Sequence, residues 1–513
     1  MLIYNSLTKS KEDFKPLDGK TVKIYACGPT VYDLSHMGHA RVYTIWDVIQ
    51  RYLRFKGYDV IYARNVTDVD DKIINKAKSL GVSPEAVARK YLYEFWHDMN
   101  SLNIQPPDSE PRASEYVHEM ISFIQGLIDK EHAYESEGDV YFDVASIAKD
   151  YGQLTKQDFS ELLVGARDQV LAQSELEKRK KNSHDFALWK RYDAKEDQGD
   201  YDSIGSGTKW QYCWDSPWGI GRPGWHIECS TMIKHVLGET IDMHGGGEDL
   251  LFPHHENEIA LSSCLHKKPL ARFWVHNSFV QVDSEKMSKS LGNFNTIRDV
   301  LKLYSPDEIR LFILQTHYRN PIDFAPDSLQ ACGPALQRLT RALECLSADN
   351  PVQQKSDSEK FTVKESFAIR PEPIALPTEY LQDFHNEFCA AMDNDFNTAV
   401  AIASLFSLAD KIGKITEVKE KQQAAKVLLH YANLIGLRLV DDRQTISSET
   451  ARQLMFLLLQ IRSQAKDKKD YATADTIRNE LTKYGINIMD SKDSSTWEVT
   501  PSAAVQTQTT AKE

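Results

Sequence analysis

Thr21-Val-Lys-Ile-Tyr-Ala-Cys-Gly-Pro-Thr-Val-Tyr-Asp-Leu-Ser-His-Met-Gly-His39 is the stretch that decides the architecture. Val22, Ile24 and Ala26 alternate with polar positions, the period of a strand, and Cys27-Gly28-Pro29 ends it. Beyond it Val42, Ile45, Trp46, Ile49 and Leu53 recur at helical spacing, and Gly57 stands where a helix stops. A second strand over Asp59 to Ala63 completes a strand–helix–strand unit. Cys27 and the His36-Met37-Gly38-His39 turn then fall at the carboxyl end of the first strand, where open α/β sheets bind ligands. Two imidazoles at the start of a helix offer N–H donors beside its positive end, an arrangement suited to a bound polyphosphate. Taken alone, the same four residues read as a pair of surface histidines.

A second motif, Lys286-Met-Ser-Lys-Ser290, lies far downstream and adds two ammonium groups. By itself it is a solvated charge cluster. Together the two motifs describe a site that stabilises charge on an α-phosphate while pyrophosphate leaves, which is electrostatic catalysis without a covalent protein intermediate. In this combination the chain resembles the class I aminoacyl-tRNA synthetases. Their first signature reads His-Ile-Gly-His, so Met37 departs from it by exchanging one apolar residue for another, and the second signature matches throughout. The resemblance implies catalytic roles for His36, His39, Lys286 and Lys289, with Gly28, Gly245, Gly246 and Asp249 joining His36, His39 and Lys289 around the nucleotide. It also implies magnesium carried with ATP.

A chain of 513 residues exceeds one hydrophobic core and suggests roughly three to four domains. The start, Met1-Leu2-Ile3-Tyr4-Asn5-Ser6, has no basic region followed by an apolar run, and the longest apolar stretch, Leu454 to Leu459, cannot span a bilayer. A cytoplasmic location without membrane contact is expected. Seven cysteines without regular spacing argue for reduced thiols. The net charge of −13 excludes a uniformly basic nucleic-acid coat but not local patches, of which Lys178-Arg179-Lys180-Lys181 and Lys466 with Lys468-Lys469 are candidates. Either one taken alone reads as a solvated helix face.

The fold class expected is α/β: a Rossmann-like parallel-sheet catalytic domain split by an insertion and followed by helical C-terminal domains. Residues 1–112 form the first catalytic half, 113–205 the connective insertion, and 206–298 the second half. There Thr240 to His244 reads as a strand, Gly245-Gly246-Gly247 as a turn, Pro253 as the opening of a helix, and Arg272 to Val282 as a strand leading to the lysine loop. A helical stem-contact region follows over 299–348. A proline-bearing linker at 349–378 precedes a helical bundle at 379–440, a C-terminal module at 448–497 and a disordered tail at 498–513.

His254 and Glu258, four residues apart in the expected helix, emerge on one face, and Cys27 ends a strand expected beside it. Two thiolates, an imidazole and a carboxylate make a credible tetrahedral zinc shell. Cys213, His226, His255 and Cys264 compete for places in it, and Cys229 alone reads as a buried small hydrophobe. The runs Cys27-Gly-Pro-Thr-Val-Tyr-Asp33, Gly221-Arg-Pro-Gly-Trp-His-Ile-Glu-Cys229 and Phe252-Pro-His-His-Glu-Asn-Glu258 resemble those of the cysteinyl-tRNA synthetases. The resemblance implies one zinc per chain, held by Cys27, Cys229, His254 and Glu258. It also implies substrate contacts from Thr67 in Asn65-Val-Thr-Asp-Val-Asp-Asp71, from Trp225, and from His244. Asp70 and Asp71 read as helix caps, and the glycine triplet as a place where backbone approaches adenosine.

Chemistry gives such an enzyme a use for the metal. An apolar pocket separates isosteres such as cysteine and serine by only about 10²-fold, whereas zinc favours thiolate sulfur over a hydroxyl. The expected reaction is ATP-dependent formation of cysteinyl-adenylate, then transfer to the terminal adenosine of tRNA(Cys), by a monomer without an editing site. Alternatives are the cysteine–sugar ligase of mycothiol synthesis, which lacks an anticodon module, a catalytically silent zinc-containing RNA-binding relative, and a generic nucleotidyltransferase.

Overall fold

Two short antiparallel strands, β1 (Leu2–Asn5) and β2 (Ser10–Asp13), precede the strand dictated by the alternation of Val22, Ile24 and Ala26, β3 (Thr21–Ala26). Helix α1 (Met37–Phe55) follows, and Gly57 reverses the chain at φ 90°, a conformation glycine enters without strain, into β4 (Asp59–Arg64). The computed structural model describes residues 1–156, 179–192, 212–282, 285–286, 296–347 and 373–439, and further on 458–459, 461–462, 465–466, 468, 470–483, 486–490 and 495–499. They belong to two units, Met1–Leu439 and Val440–Glu513.

In the first unit, β4 leads to α2 (Asp71–Leu80), α3 (Pro84–Ser101) and α4 (Val117–Ile128). An antiparallel sheet then runs β5 (Ala133–Ser136), β6 (Asp139–Phe142), β7 (Phe186–Arg191), β8 (Gly221–Pro223), in that order. This sheet extends past the expected boundary at 205, because Trp189 and Arg191 pair with Pro223 and Gly221. Helix α5 (Trp225–Val236) returns the chain to the main sheet through β9 (Ile241–Gly247), α6 (Glu256–His266) and β10 (Ala271–Asn277).

The main sheet has the order β10-β9-β3-β4, and every pairing is parallel. The step from β3 to β4 moves to one side, while β9 attaches on the other. A crevice therefore opens outside the carboxyl ends of β3 and β9.

Three local expectations change. Gly245, Gly246 and Gly247 are the end of β9, paired with Val275, His276 and Asn277, and form no turn. A Cβ on Gly245 would meet the Val275 carbonyl oxygen at 1.7 Å, so glycine here admits a neighbouring strand. Helix α6 starts at Glu256, and Pro253 lies before it in a wide turn over Leu251–His255. The expected strand from Arg272 to Val282 is two strands, because β11 (Val280–Val282) leaves the sheet to pair with β12 (Glu285–Lys286) and β13 (Ile322–Asp323).

Helices follow: α7 (Ile297–Leu301), α8 (Pro306–Leu314), α9 (Pro326–Gln330), α10 (Cys332–Arg341), α11 (Glu344–Ser347), α12 (Glu379–Asp393), α13 (Thr398–Lys414) and α14 (Val418–Leu434). Most of the expected linker, 349–372, lies outside the described residues, as does the tail from 500 onward, whereas 498–499, expected in that tail, belong to a strand. Arg179, from the basic run, is no open patch: it pairs with Glu137 and Asp139 at 3.0 and 2.9 Å. In the second unit α15 (Tyr471–Lys483) precedes an unforeseen hairpin, β14 (Ile486–Asp490) and β15 (Ser495–Val499).

One hydrophobic core runs from Val22 and Ile24 through Trp46 and Ile49 of α1 to Ile309, Leu405 and Leu428 of the later helices. Within it the Arg310 guanidinium, wholly buried, donates to Asp47 Oδ2 at 2.7 Å and to the carbonyls of Leu102 and Ile435 at 3.0 and 2.8 Å. Breaking such a pair by removing one member strands the other charge. Arg310→Met should lower the free energy of unfolding by about 3–5 kcal/mol in urea titrations; a loss below about 1 kcal/mol would deny the pair this role.

Candidate active site

The turn after β3 and the first residues of α1 build one side of the crevice. His36 caps α1 through Nδ1, which accepts from Gly38 N–H at 3.0 Å, and His39 Nδ1 accepts from His36 N–H at 3.2 Å. Each histidine occupies the place that Ser or Glu fills in an ordinary capping box. With Nδ1 serving as acceptor, a neutral ring carries its proton on Nε2, so both imidazoles become donors at the far nitrogen. The chain returning from the lysine motif is fastened to this turn, since Ile297 N–H donates to Ser35 O at 3.0 Å and Thr296 bridges His36. The Lys286 backbone lies in β12, while its side chain and all of Lys289 fall outside the described residues.

Arg41, one turn into α1 and buried, donates to Phe279 O at 2.6 Å, to Tyr318 O at 3.1 Å and to Asn320 O. It thereby ties the histidine helix to the segment entering β11. Sequence reasoning missed it, because a single arginine on a helix carries no local signal.

The crevice is a cavity of about 320 Å³ lined by, among others, His36, His39, Gly28, Thr67, Trp225 and Asp249. Gly28 is required by contact, since a Cβ there would meet Asn65 O at 1.5 Å. Cys27, Cys229 and His254 line the same cavity, with Glu258 behind them. One donor atom from each of these four lies within 4.8 Å of the others. Cys27 Sγ is 3.9 Å from Cys229 Sγ and 3.8 Å from Glu258 Oε1, and His254 Nε2 is 2.8 Å from Glu258 Oε1.

The electrostatics follow from that crowding. The Cys27 thiol donating to Cys229, with His254 alongside, brings the Cys229 thiol down to about 6 against the effect of burial. Burial pushes the Cys27 thiol well up. Burial alone would lower His254, but Glu258 and Cys229 raise it to about 10. Burial would likewise raise Glu258, and His244 with His254 holds it well below the carboxylate range.

A second group, Cys27, His244, His255 and Glu258, meets the same distance criterion. Neither of its histidines lines the cavity. His244, expected as a substrate contact, is fully buried behind Glu258: its Nε2 bonds Glu258 Oε2 and its Nδ1 sits 3.0 Å from Tyr25 O. His255 Nε2 is 3.2 Å from Cys27 Sγ, and its Nδ1 is 2.7 Å from His276 Nε2. These rings orient Cys27 and Glu258. Trp225 stacks on His254 with ring centroids 4.0 Å apart, so one side chain both walls the cavity and fixes an imidazole.

Of the expected nucleotide glycines, Gly245 and Gly246 lie within the sheet and Gly247 reaches the cavity instead. Asp70 caps α2 by accepting from Lys72 N–H at 2.7 Å. Asp71 instead pairs with Lys190 and Arg222 at 2.6 and 2.9 Å, joining α2 to the inserted sheet.

Comparison with known proteins places these features. Residues 13–333 match the tRNA synthetases class I (C) catalytic domain, 387–440 a DALR domain and 457–497 the cysteinyl-tRNA ligase anticodon binding domain. The cysteine–tRNA ligase of Thermococcus gammatolerans is 42% identical over 501 residues, covering 96% of this chain and 98% of the relative. That of Heliobacterium modesticaldum is 41% identical over 506 residues, covering 96% and 98%. The chain belongs to the cysteinyl-tRNA synthetase family. Among solved structures, methionyl-tRNA synthetase of Mycobacterium tuberculosis with methionyl-adenylate aligns at 13% identity and a TM-score of 0.53, covering 89% of this chain and 96% of that one. The LeuRS–tRNA–LeuAMS complex of Agrobacterium radiobacter aligns at 14% and 0.55, covering 83% and 86%. Both likenesses concern the class I fold.

The two thiols should differ in reactivity. In metal-free protein, with its thiol brought down to about 6, Cys229 should be the more ionised of the two at pH 7, since burial pushes Cys27 up. Iodoacetamide at pH 7 should therefore modify Cys229 first, as read by peptide mass spectrometry; earlier modification of Cys27 would reverse the assignment.

Proposed function

We infer that this family member is an ATP-dependent cysteine–tRNA ligase. A carboxylate oxygen of L-cysteine attacks the α-phosphorus of ATP, the bond to the β-phosphate oxygen breaks, and pyrophosphate leaves. A ribose hydroxyl of the terminal adenosine of tRNA(Cys) then attacks the cysteinyl carbonyl, and AMP leaves. One observation carries the reading: Cys27, Cys229 and His254 line the same cavity as His36 and His39.

The donor set fits zinc. Two thiols, an imidazole and a carboxylate converge in a buried wall, and once the thiols and imidazole give up their protons they present a negative donor set that a divalent cation neutralises. When bound there, zinc supplies affinity for thiolate sulfur over hydroxyl oxygen, which shape alone cannot.

The chain's own residues do the remaining work. His244 holds the Glu258 carboxylate, and Trp225 holds the His254 ring. His36 and His39 offer Nε2 protons to phosphate oxygens, and Lys286 and Lys289 of the lysine motif add charge where the leaving pyrophosphate develops it. Gly28, Gly247 and Asp249 give the nucleotide room and polar contact. Thr67 meets the amino acid. No protein nucleophile is needed, so alignment of the substrates supplies most of the rate.

The C-terminal unit reads the anticodon by stacking and hydrogen bonding to unpaired bases. The match of 457–497 to an anticodon-binding domain speaks against the cysteine–sugar ligase and against a silent relative that merely keeps the fold.

Purified full-length protein should exchange labelled pyrophosphate into ATP when L-cysteine is present and charge tRNA with it. With L-serine the exchange should fall by well over the roughly 10²-fold that an apolar pocket gives. Exchange independent of the amino acid, or equal rates with serine, would refute the assignment.

A further inference from the structure

A buried hydrogen-bond chain sets the polarity of the cavity at Thr67. Gly28 N–H donates to Asn65 Oδ1 at 2.7 Å, which fixes the amide, and Asn65 Nδ2 donates to Thr67 Oγ1 at 3.2 Å. Thr67 in turn donates its hydroxyl proton to Glu228 Oε2 at 3.0 Å. A hydroxyl has one proton and two lone pairs. With the proton committed to Glu228 and one lone pair to Asn65, Thr67 has only a lone pair left for the cavity it lines.

Glu228 sits on α5 beside Cys229 and is wholly buried. Its other oxygen, Oε1, has no hydrogen-bond partner among the described residues. A carboxyl group in this setting costs stability. The nearby carboxylates are engaged elsewhere: Asp68 accepts from Ser114 N–H and Oγ–H at 2.9 and 2.6 Å, and Asp70 caps α2. Glu228 is thus the acidic group that addresses Thr67.

We propose that Glu228 is a positioning residue for substrate choice: it holds Thr67 Oγ1 as a hydrogen-bond acceptor, so that the cavity takes the amino acid's ammonium group at that point. This rests on the amino-acid-activating function inferred above. The consequence is selection for the α-amine, separate from selection for sulfur. A ligand with thiol and carboxylate but no amine finds an acceptor with nothing to accept, and a ligand presenting an acceptor there is repelled.

The pair L-cysteine and 3-mercaptopropionate differs by that amine. In pyrophosphate exchange by the zinc-loaded full-length enzyme, the inhibition constant of 3-mercaptopropionate divided by the KM for cysteine measures what the amine is worth. Glu228→Met, which removes the acceptor and frees the Thr67 proton to turn toward the cavity, should reduce this ratio by at least about fivefold. The KM for ATP and the zinc content should stay unchanged. Glu228→Gln, which keeps an acceptor oxygen, should recover at least half of that loss on a logarithmic scale. A smaller change in the ratio for Glu228→Met, including equal weakening of both ligands, overturns the proposal, as does a Gln variant no better than Met. Should Glu228→Met fail to fold, Thr67→Val must lower the ratio by the same factor while Thr67→Ser does not; the contrary result overturns it. Absence of cysteine-dependent exchange in the unaltered enzyme is a separate outcome, which refutes the activation reading itself.

Discussion

Two thiols and a carboxylate packed within 4.8 Å in a buried wall disfavour one another's anionic forms and gain little from the fold. Everything around them works against that penalty. His244 and His254 face Glu258, His255 faces Cys27, and His276 backs His255. The sheet makes the arrangement reachable: Cys27 leaves β3 at the crevice created when the chain crosses from one side of that strand to the other, and the turn before α6 delivers His254 to the same place. The cost is local, and the cation proposed for this donor set would offset it, tying fold to chemistry.

The same crossover puts the histidine cap of α1 against the cluster. Helix α1 is held along its length: Arg41 clasps the segment entering β11, and Asp47 receives Arg51, Arg310 and the Gln105 N–H. Through Arg310 and the Ile435 carbonyl, the helix is also locked to the chain at the end of α14. The histidine cap, the cavity beside it and the later helices therefore share one helix as a common support, the form of preorganisation that the proposed electrostatic catalysis needs.

Much of this was legible in the sequence where period and spacing carry the signal. The alternation at Val22, Ile24 and Ala26 and the stripe from Val42 to Leu53 specified the unit that frames the cavity. The four cluster residues were named by resemblance, since adjacency of His254 and His255 leaves two faces open until the turn before α6 is seen. The glycine triplet misled because glycine marks both turns and close strand contacts, and only the Val275 carbonyl beside Gly245 distinguishes them. Asp71 looked like a cap because its ion partners, Lys190 and Arg222, lie more than a hundred residues away. Glu228 was invisible for the same reason: its meaning lies in Thr67, on another element. The C-terminal hairpin escaped notice behind the helical pattern preceding it.

The central claim is that amino-acid identity is read by sulfur at the Cys27, Cys229, His254 and Glu258 cluster. Replacing the metal with cobalt in the full-length enzyme and recording its absorption spectrum during titration with L-cysteine tests this most directly. The account expects sulfur-to-cobalt charge-transfer absorbance to rise with L-cysteine and to stay flat with L-serine. A spectrum unmoved by saturating L-cysteine would contradict it.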